Sequence, residues 1–214
     1  MSRHGERGVT LIEITVVLMA VAILTAAAAP IASRTVERSR LARAKTDEQA
    51  ISTAMSNFIT DAGATYRQPR ADGNNAASAE VDMLVGDGDT PESNTDTNWT
   101  DPVGQFGPGA VVDFIENHLV QNEPFDDPVN NAYGTFWRGA YLQGPVDPDP
   151  WGNRYMINTE WLNGTATEMR NDTFVLSAGP NELTDTFWQQ DGAVPGDDDL
   201  IVVIRRDLGL TVPQ

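Results

Sequence analysis

Apolar residues run almost without interruption from position 9 to position 31, and then return at steps of three and four. The first stretch holds 23 residues and one charge, Glu13. At about 1.5 Å per residue a helix of that length spans about 35 Å, enough to cross a bilayer core of about 30 Å. Pro30 sits inside the pattern, where it removes a backbone hydrogen bond and bends a helix without ending it. Beyond it Leu41, Ala44, Glu48, Ile51, Met55, Phe58 and Ala62 mark one helical stripe, with Arg43, Lys45, Asp47, Gln49 and Asn57 opposite. The pattern predicts a single helix over 9–61, about 80 Å long, with Gly63 as its stop. It is apolar all round in its first half and amphipathic over 32–62, where a globular domain clamps on.

Residues 63–108 are poor in large apolar side chains and rich in Gly, Asn, Asp, Thr and Pro, which reads as an acidic surface loop or insertion. Asp87-Gly88-Asp89 hints at calcium, but its spacing fits no EF-hand, and a solvated loop accounts for it better. Val111, Phe114, Ile115, His118 and Leu119 predict a short second helix over 110–121. Asp149-Pro150-Trp151-Gly152-Asn153 predicts a tight turn, with Pro150 fixing φ and Gly152 or Asn153 left-handed. Strands are expected over 155–158, 174–177 and 200–204.

Charge divides the chain. Residues 1–45 hold seven basic and three acidic groups, leaving seven basic and 28 acidic in 46–214, a net of −21 there and −17 overall. Such a domain does not bind nucleic acid by neutralising phosphates; it suits a self-repelling exterior or a divalent cation. The chain has no cysteine, and its two histidines, His4 and His118, make no histidine metal cluster. No nucleophile motif, phosphate loop or positioned carboxylate pair marks an enzyme. Arg3 and Arg7 precede the apolar run, whereas Arg34, Arg38, Arg40, Arg43 and Lys45 follow it, so a positive-inside count puts the C-terminal domain in the cytoplasm.

The N-terminus, with Arg3, Arg7, then Gly8-Val9-Thr10-Leu11-Ile12-Glu13 leading into the apolar helix, resembles the signal of type IV pilin-like proteins. The resemblance implies a leader over 1–8, cut by a prepilin peptidase between Gly8 and Val9. It implies a transmembrane segment over 9–31, and a role for Glu13 in facing the new N-terminal amine of a neighbouring subunit. Valine stands at Val9, where the family usually has an N-methylated phenylalanine. Further on, Gly139-Ala140-Tyr141-Leu142, the Asp149–Asn153 turn, and Ser177-x-Gly179 followed by Asp197-Asp198-Asp199 resemble the major pseudopilin of type II secretion systems. That likeness implies a calcium site with Ser177, Asn181, Asp197, Asp198 and Asp199 as ligands, the Leu176 carbonyl as a further one and Asp185 as a weaker candidate, although Asn181 stands where an aspartate is common and 186–195 lengthen the loop.

The fold expected is α+β: a long N-terminal pilin helix packed against a small antiparallel sheet, with the globular part over 109–214 and a calcium-type C-terminal loop. The function implied is a non-enzymatic subunit of a homo-oligomeric filament in a bacterial inner membrane, single-pass, with its domain in the periplasm. Its partners would be the prepilin peptidase and secretion or pilus assembly proteins. A type IV pilus subunit, or a secreted calcium-binding module cut by a signal peptidase near Ala28 or Ala29, are the alternatives.

Overall fold

The computed structural model describes residues 10–62, 69, 80–93, 99, 111–126, 133–162, 172–188, 192 and 194–205. Gly8 and Val9 lie outside them. The chain divides into two compact units, Met1–Arg40 and Leu41–Gln214.

Helix α1, Leu11–Ala62, forms as the periodicity predicts and continues through Pro30. Thr10 caps it. The Thr10 amide and hydroxyl both donate to Glu13 Oε2 at 2.9 Å, and the Glu13 amide donates back to Thr10 Oγ1 at 3.3 Å. This is the reciprocal capping box, which satisfies orphan donors of the first turn. In the first unit the large apolar side chains of α1 stand in the open, from Leu11 at 81% exposed to Ile31 at 69%. By length and composition this part of α1 is apolar enough to cross a membrane.

In the second unit the described strands are β1 (Met83–Val85), β2 (Glu92–Ser93), β3 (Val112–Phe114), β4 (Met156–Asn158), β5 (Thr173–Ser177), β6 (Leu183–Thr184) and β7 (Leu200–Arg205). Five of them form one sheet in the order β3-β1-β4-β5-β7, and β2 pairs with β6 in a second, two-stranded sheet. Strands β1, β4, β5 and β7 run antiparallel to their neighbours, but β3 is parallel to β1, so the sheet is mixed rather than antiparallel as expected. A strand-to-strand crossover, not a hairpin, must therefore join β1 to β3.

Alternation along the strands divides the core. Leu84, Ile157 and Val175 join Ile51, Ala54, Met55 and Phe58 of α1 in one cluster. Met83, Val85, Met156, Phe174 and Leu176 point the other way, into a cluster with Trp99, Trp161 and Trp188. The central strands are buried on both faces, which is why they read as short continuous apolar runs.

Two expectations need correction. The 63–108 stretch is not only surface loop, because Met83-Leu84-Val85 is an inner strand of the main sheet. Three apolar residues among acids are too few to raise a periodic signal, and pairing with β3 and β4 supplies what local propensity does not. The predicted second helix is a strand first: Val112–Phe114 is β3, followed by a π-helical turn at Asn117–Gln121 that ends on left-handed Asn122. The β-branched Val111-Val112 pair favours the extended form.

A buried polar network closes this corner. His118 Nε2 lies 2.8 Å from Asp113 Oδ2, and Nδ1 lies 2.6 Å from the Tyr133 hydroxyl. Asp113 Oδ1 accepts from the Phe114 amide and Asn117 Nδ2, and Oδ2 also accepts from the amide of Phe125, a residue at φ 58°. Burial opposes the Asp113 charge, but His118 and the amides of Phe125 and Phe114 outweigh it and hold the carboxyl below its ordinary range. Its contribution to stability is therefore present above the unfolded carboxyl pKa and lost as pH falls through the folded one. Replacing His118 by Ala strips Asp113 of a buried partner. The expected loss is about 3–5 kcal/mol of unfolding free energy, read as a lowered urea midpoint.

Candidate metal-binding loop

The C-terminal loop is built by two close backbone approaches. A Cβ at Gly179, which has φ +66°, would lie 2.3 Å from the Asp198 carbonyl oxygen, and one at Gly196 would lie 2.3 Å from the Asp185 carbonyl. Only glycine lets segments 179–185 and 196–198 come together. Their approach gathers Asp185, Asp197 and Asp198, with one carboxylate oxygen from each within 4.8 Å of the others. At about 4 Å two like charges repel by about 1 kcal/mol in water and about 4 kcal/mol at an effective dielectric constant of about 20. A hard divalent cation relieves that repulsion, and calcium tolerates the uneven geometry of a loop. Asp198 Oδ1 is buried and has no hydrogen-bond partner, a further acceptor that a cation would satisfy.

Of the five ligands that the resemblance implies, Asp197 and Asp198 enter this group and Asp185 completes it. The other three brace the loop. Asp199, 4% exposed, accepts through Oδ2 from the amides of Asp185 at 2.9 Å and Thr186 at 2.6 Å. Asn181 donates its amide to Asp198 Oδ2 at 3.0 Å and Nδ2 to Asp185 Oδ2 at 3.1 Å, while its Oδ1 accepts from the Leu183 amide. Ser177, at the end of β5, donates its hydroxyl to Asp149 Oδ2 at 2.7 Å.

Asp149, which the motif placed in the turn without a role of its own, organises it. Its Oδ1 accepts from the amides of Trp151 at 3.0 Å and Asn153 at 2.9 Å, so the carboxylate closes the Pro150-Trp151-Gly152 turn from inside. Gly152 takes the predicted left-handed side, at φ +103°. Against this turn lies Asp87-Gly88-Asp89: the Asp89 amide donates to the Gly152 carbonyl, and the Arg154 guanidinium donates to the Gly88 carbonyl at 2.8 Å. Arg154 also lies in the field of Asp87 and Asp89, so these acids face a cation of the protein itself.

Glu48 has a role that sequence reasoning missed, and its signal in the sequence is that it is the one acid in the apolar stripe of α1. It is 1% exposed, and its Oε1 has no hydrogen-bond partner. Burial pushes its carboxyl up to about 8; the Ser177 amide and Lys45 pull the other way, and Asp149 and Asp199 push it further up. Burial likewise pushes Asp199 up to about 6, against the pull of Thr186 and of the Asp185 amide.

Glu13, to which the resemblance gives a role in subunit pairing, sits in the capping box described above, with Oε2 engaged by Thr10. No family model matches the chain, and the searches of curated proteins and of solved structures give no match either.

Two outcomes test the loop. In wild type, calcium should raise the melting temperature and a chelator should lower it, and Asp185→Asn/Asp197→Asn should abolish the difference. Asp199→Ala should destabilise with or without calcium, because it removes the acceptor of the Asp185 and Thr186 amides, contacts that do not depend on the ion. Equal melting of wild type in calcium and chelator removes the metal.

The sign for Glu48 follows from its raised pKa. The folded state holds that proton more tightly than the unfolded state, so stability falls as pH rises from about 4.5 to about 8. Asp199 acts in the same direction but only up to about 6. In chelator, the melting temperature should fall by about 5 °C between pH 6 and pH 8. Glu48→Gln should flatten that segment.

Proposed function

We propose that this chain is a structural subunit of a type IV pilin-like filament, nearest to the major pseudopilin of a type II protein secretion system, and not an enzyme. The observation that carries the reading is the double character of α1. Its first part is apolar on all sides and uncovered by any described residue, while Ile51, Ala54, Met55 and Phe58 of its second part are sealed against the sheet. A helix so built serves as membrane anchor before assembly and as bundle core after it.

Supporting features are the Thr10–Glu13 start of that helix, the small mixed sheet, and a C-terminal loop with three gathered aspartates. The Asp113–His118–Tyr133 network resembles a proton relay in composition. All three residues are at most 4% exposed, and their polar atoms are engaged with one another and with the amides of Phe114 and Phe125. In this reading its work is to hold the turn after β3 in place.

In this reading a prepilin peptidase cuts between Gly8 and Val9, and the domain lies outside the inner membrane. Glu13 keeps its cap within the chain, and its Oε1, without a partner among the described residues, meets the amine of an adjoining subunit. A type IV pilus subunit shares every one of these features. It is separated by where the filament is found.

Mass spectrometry of the native N-terminus is the deciding experiment. A chain beginning at Val9 supports the filament subunit, one beginning near Ala29 supports a secreted module, and one beginning at Met1 defeats both. Capping and charge pairing at Glu13 are separable, because glutamine serves in a capping box and carries no charge. Glu13→Gln should retain processing yet reduce filament yield as severely as Glu13→Ala. Normal assembly of the glutamine variant would leave Glu13 as a helix cap only.

A further inference from the structure

Directly beyond the apolar part of α1, in the same compact unit, stand Arg34, Arg38 and Arg40, all exposed. None of the three makes an ion pair among the described residues. Glu37, the one carboxylate in the same two turns, forms no ion pair with them. Three unpaired guanidiniums on an uncovered helix call for an anionic partner. We propose that they form a binding collar for the phosphate headgroups of anionic lipids, in the leaflet facing the globular domain. The inference rests on α1 being a membrane anchor.

Distance along the helix favours lipid. Arg34 lies three residues past Ile31, about 4.5 Å along the axis, Arg38 about 10 Å and Arg40 about 13 Å. A headgroup layer is about 5–8 Å thick on each side of the hydrocarbon core, and the Debye length near physiological salt is about 8–10 Å. Arginine stems can lie along apolar surface and bring the charge back toward that layer. All three cations are therefore within reach of the bilayer surface.

Charge complementarity points the same way. Residues 46–214 carry a net charge of −21, which an anionic surface repels. A collar of arginines next to the span offsets that repulsion where it is strongest. It also gives the basic residues after the apolar run a purpose other than setting topology, which removes the conflict between a positive-inside count and a domain outside the cytoplasm. Arg43 takes no part: it is engaged by Asp47 at 3.4 Å and by the Pro148 carbonyl.

The test uses the full chain in phosphatidylcholine vesicles containing a minority of phosphatidylglycerol, with spin-labelled lipids of each type. Wild type should associate preferentially with labelled phosphatidylglycerol, by about five-fold for each arginine at low salt, and the preference should shrink as salt is added. Arg34→Gln/Arg38→Gln/Arg40→Gln should bring the ratio to about one, and the corresponding triple Lys variant should keep it. A wild-type ratio of about one, or a glutamine variant indistinguishable from wild type, overturns the collar. So does a glutamine variant that keeps the lipid preference but loses chemical cross-linking between copies in pure phosphatidylcholine; the arginines then face a neighbouring chain. If wild type does not float with vesicles of either composition, the anchor reading fails and takes this inference with it.

Discussion

Everything in this chain answers to one imbalance: the first half of a 52-residue helix offers apolar side chains on every side, and no described residue covers them. Burial is worth about 25 cal/mol per Å² of apolar surface, so a stretch of this size left in water would be a standing drive to associate. The second half has the same backbone and different neighbours. Its apolar residues fall on one stripe, and that stripe meets Leu84, Ile157 and Val175 of the sheet. One continuous helix thus changes environment partway along, and the change is encoded only in how its apolar residues are spaced.

Acidic composition takes on a second meaning in the structure. Read as bulk charge, the 28 acids beyond residue 45 suggest a solvated, self-repelling exterior. Several of them are instead the acceptors that hold irregular backbone in place. Asp113 gathers the amides of Phe114 and Phe125, Asp149 those of Trp151 and Asn153, and Asp199 those of Asp185 and Thr186. Asp82 takes the Val111 amide, where the chain enters β3. A domain whose described strands are two to six residues long has many backbone donors outside its ladders. A carboxylate can take several such donors at once: Asp149 accepts two amides on Oδ1 and keeps Oδ2 for the Ser177 hydroxyl.

That division explains how far the sequence could be read. Helix α1, the strands at 156–158, 173–177 and 200–205, and the Asp149–Asn153 turn are local patterns, and they were legible. Strand β1 was not, because three apolar residues among acids announce nothing until β3 and β4 pair with them. The parallel placement of β3 is a property of topology, which periodicity does not carry. At the loop, a run of three aspartates marked the place but not the roles. Asp197 and Asp198 turn toward Asp185, while the next residue, Asp199, turns inward to backbone amides. Neighbours of identical chemistry diverge because successive side chains leave the chain in different directions, and no residue type records that.

Glu48 ties these parts together. It is a residue of the helix, yet its surroundings are the Ser177 amide and the carboxylates of Asp149 and Asp199, each of which organises a different loop. A cation held by Asp185, Asp197 and Asp198 would place positive charge next in sequence to Asp199 and favour its ionised form. An ionised Asp199 in turn makes it harder for Glu48 to lose its proton, which keeps the helix face neutral where it is buried. With a cation bound, the clamp between α1 and the sheet would be electrostatically linked to the state of the loop. The packing of Met55 and Phe58 supplies its strength, and Glu48 makes that strength responsive to charge nearby.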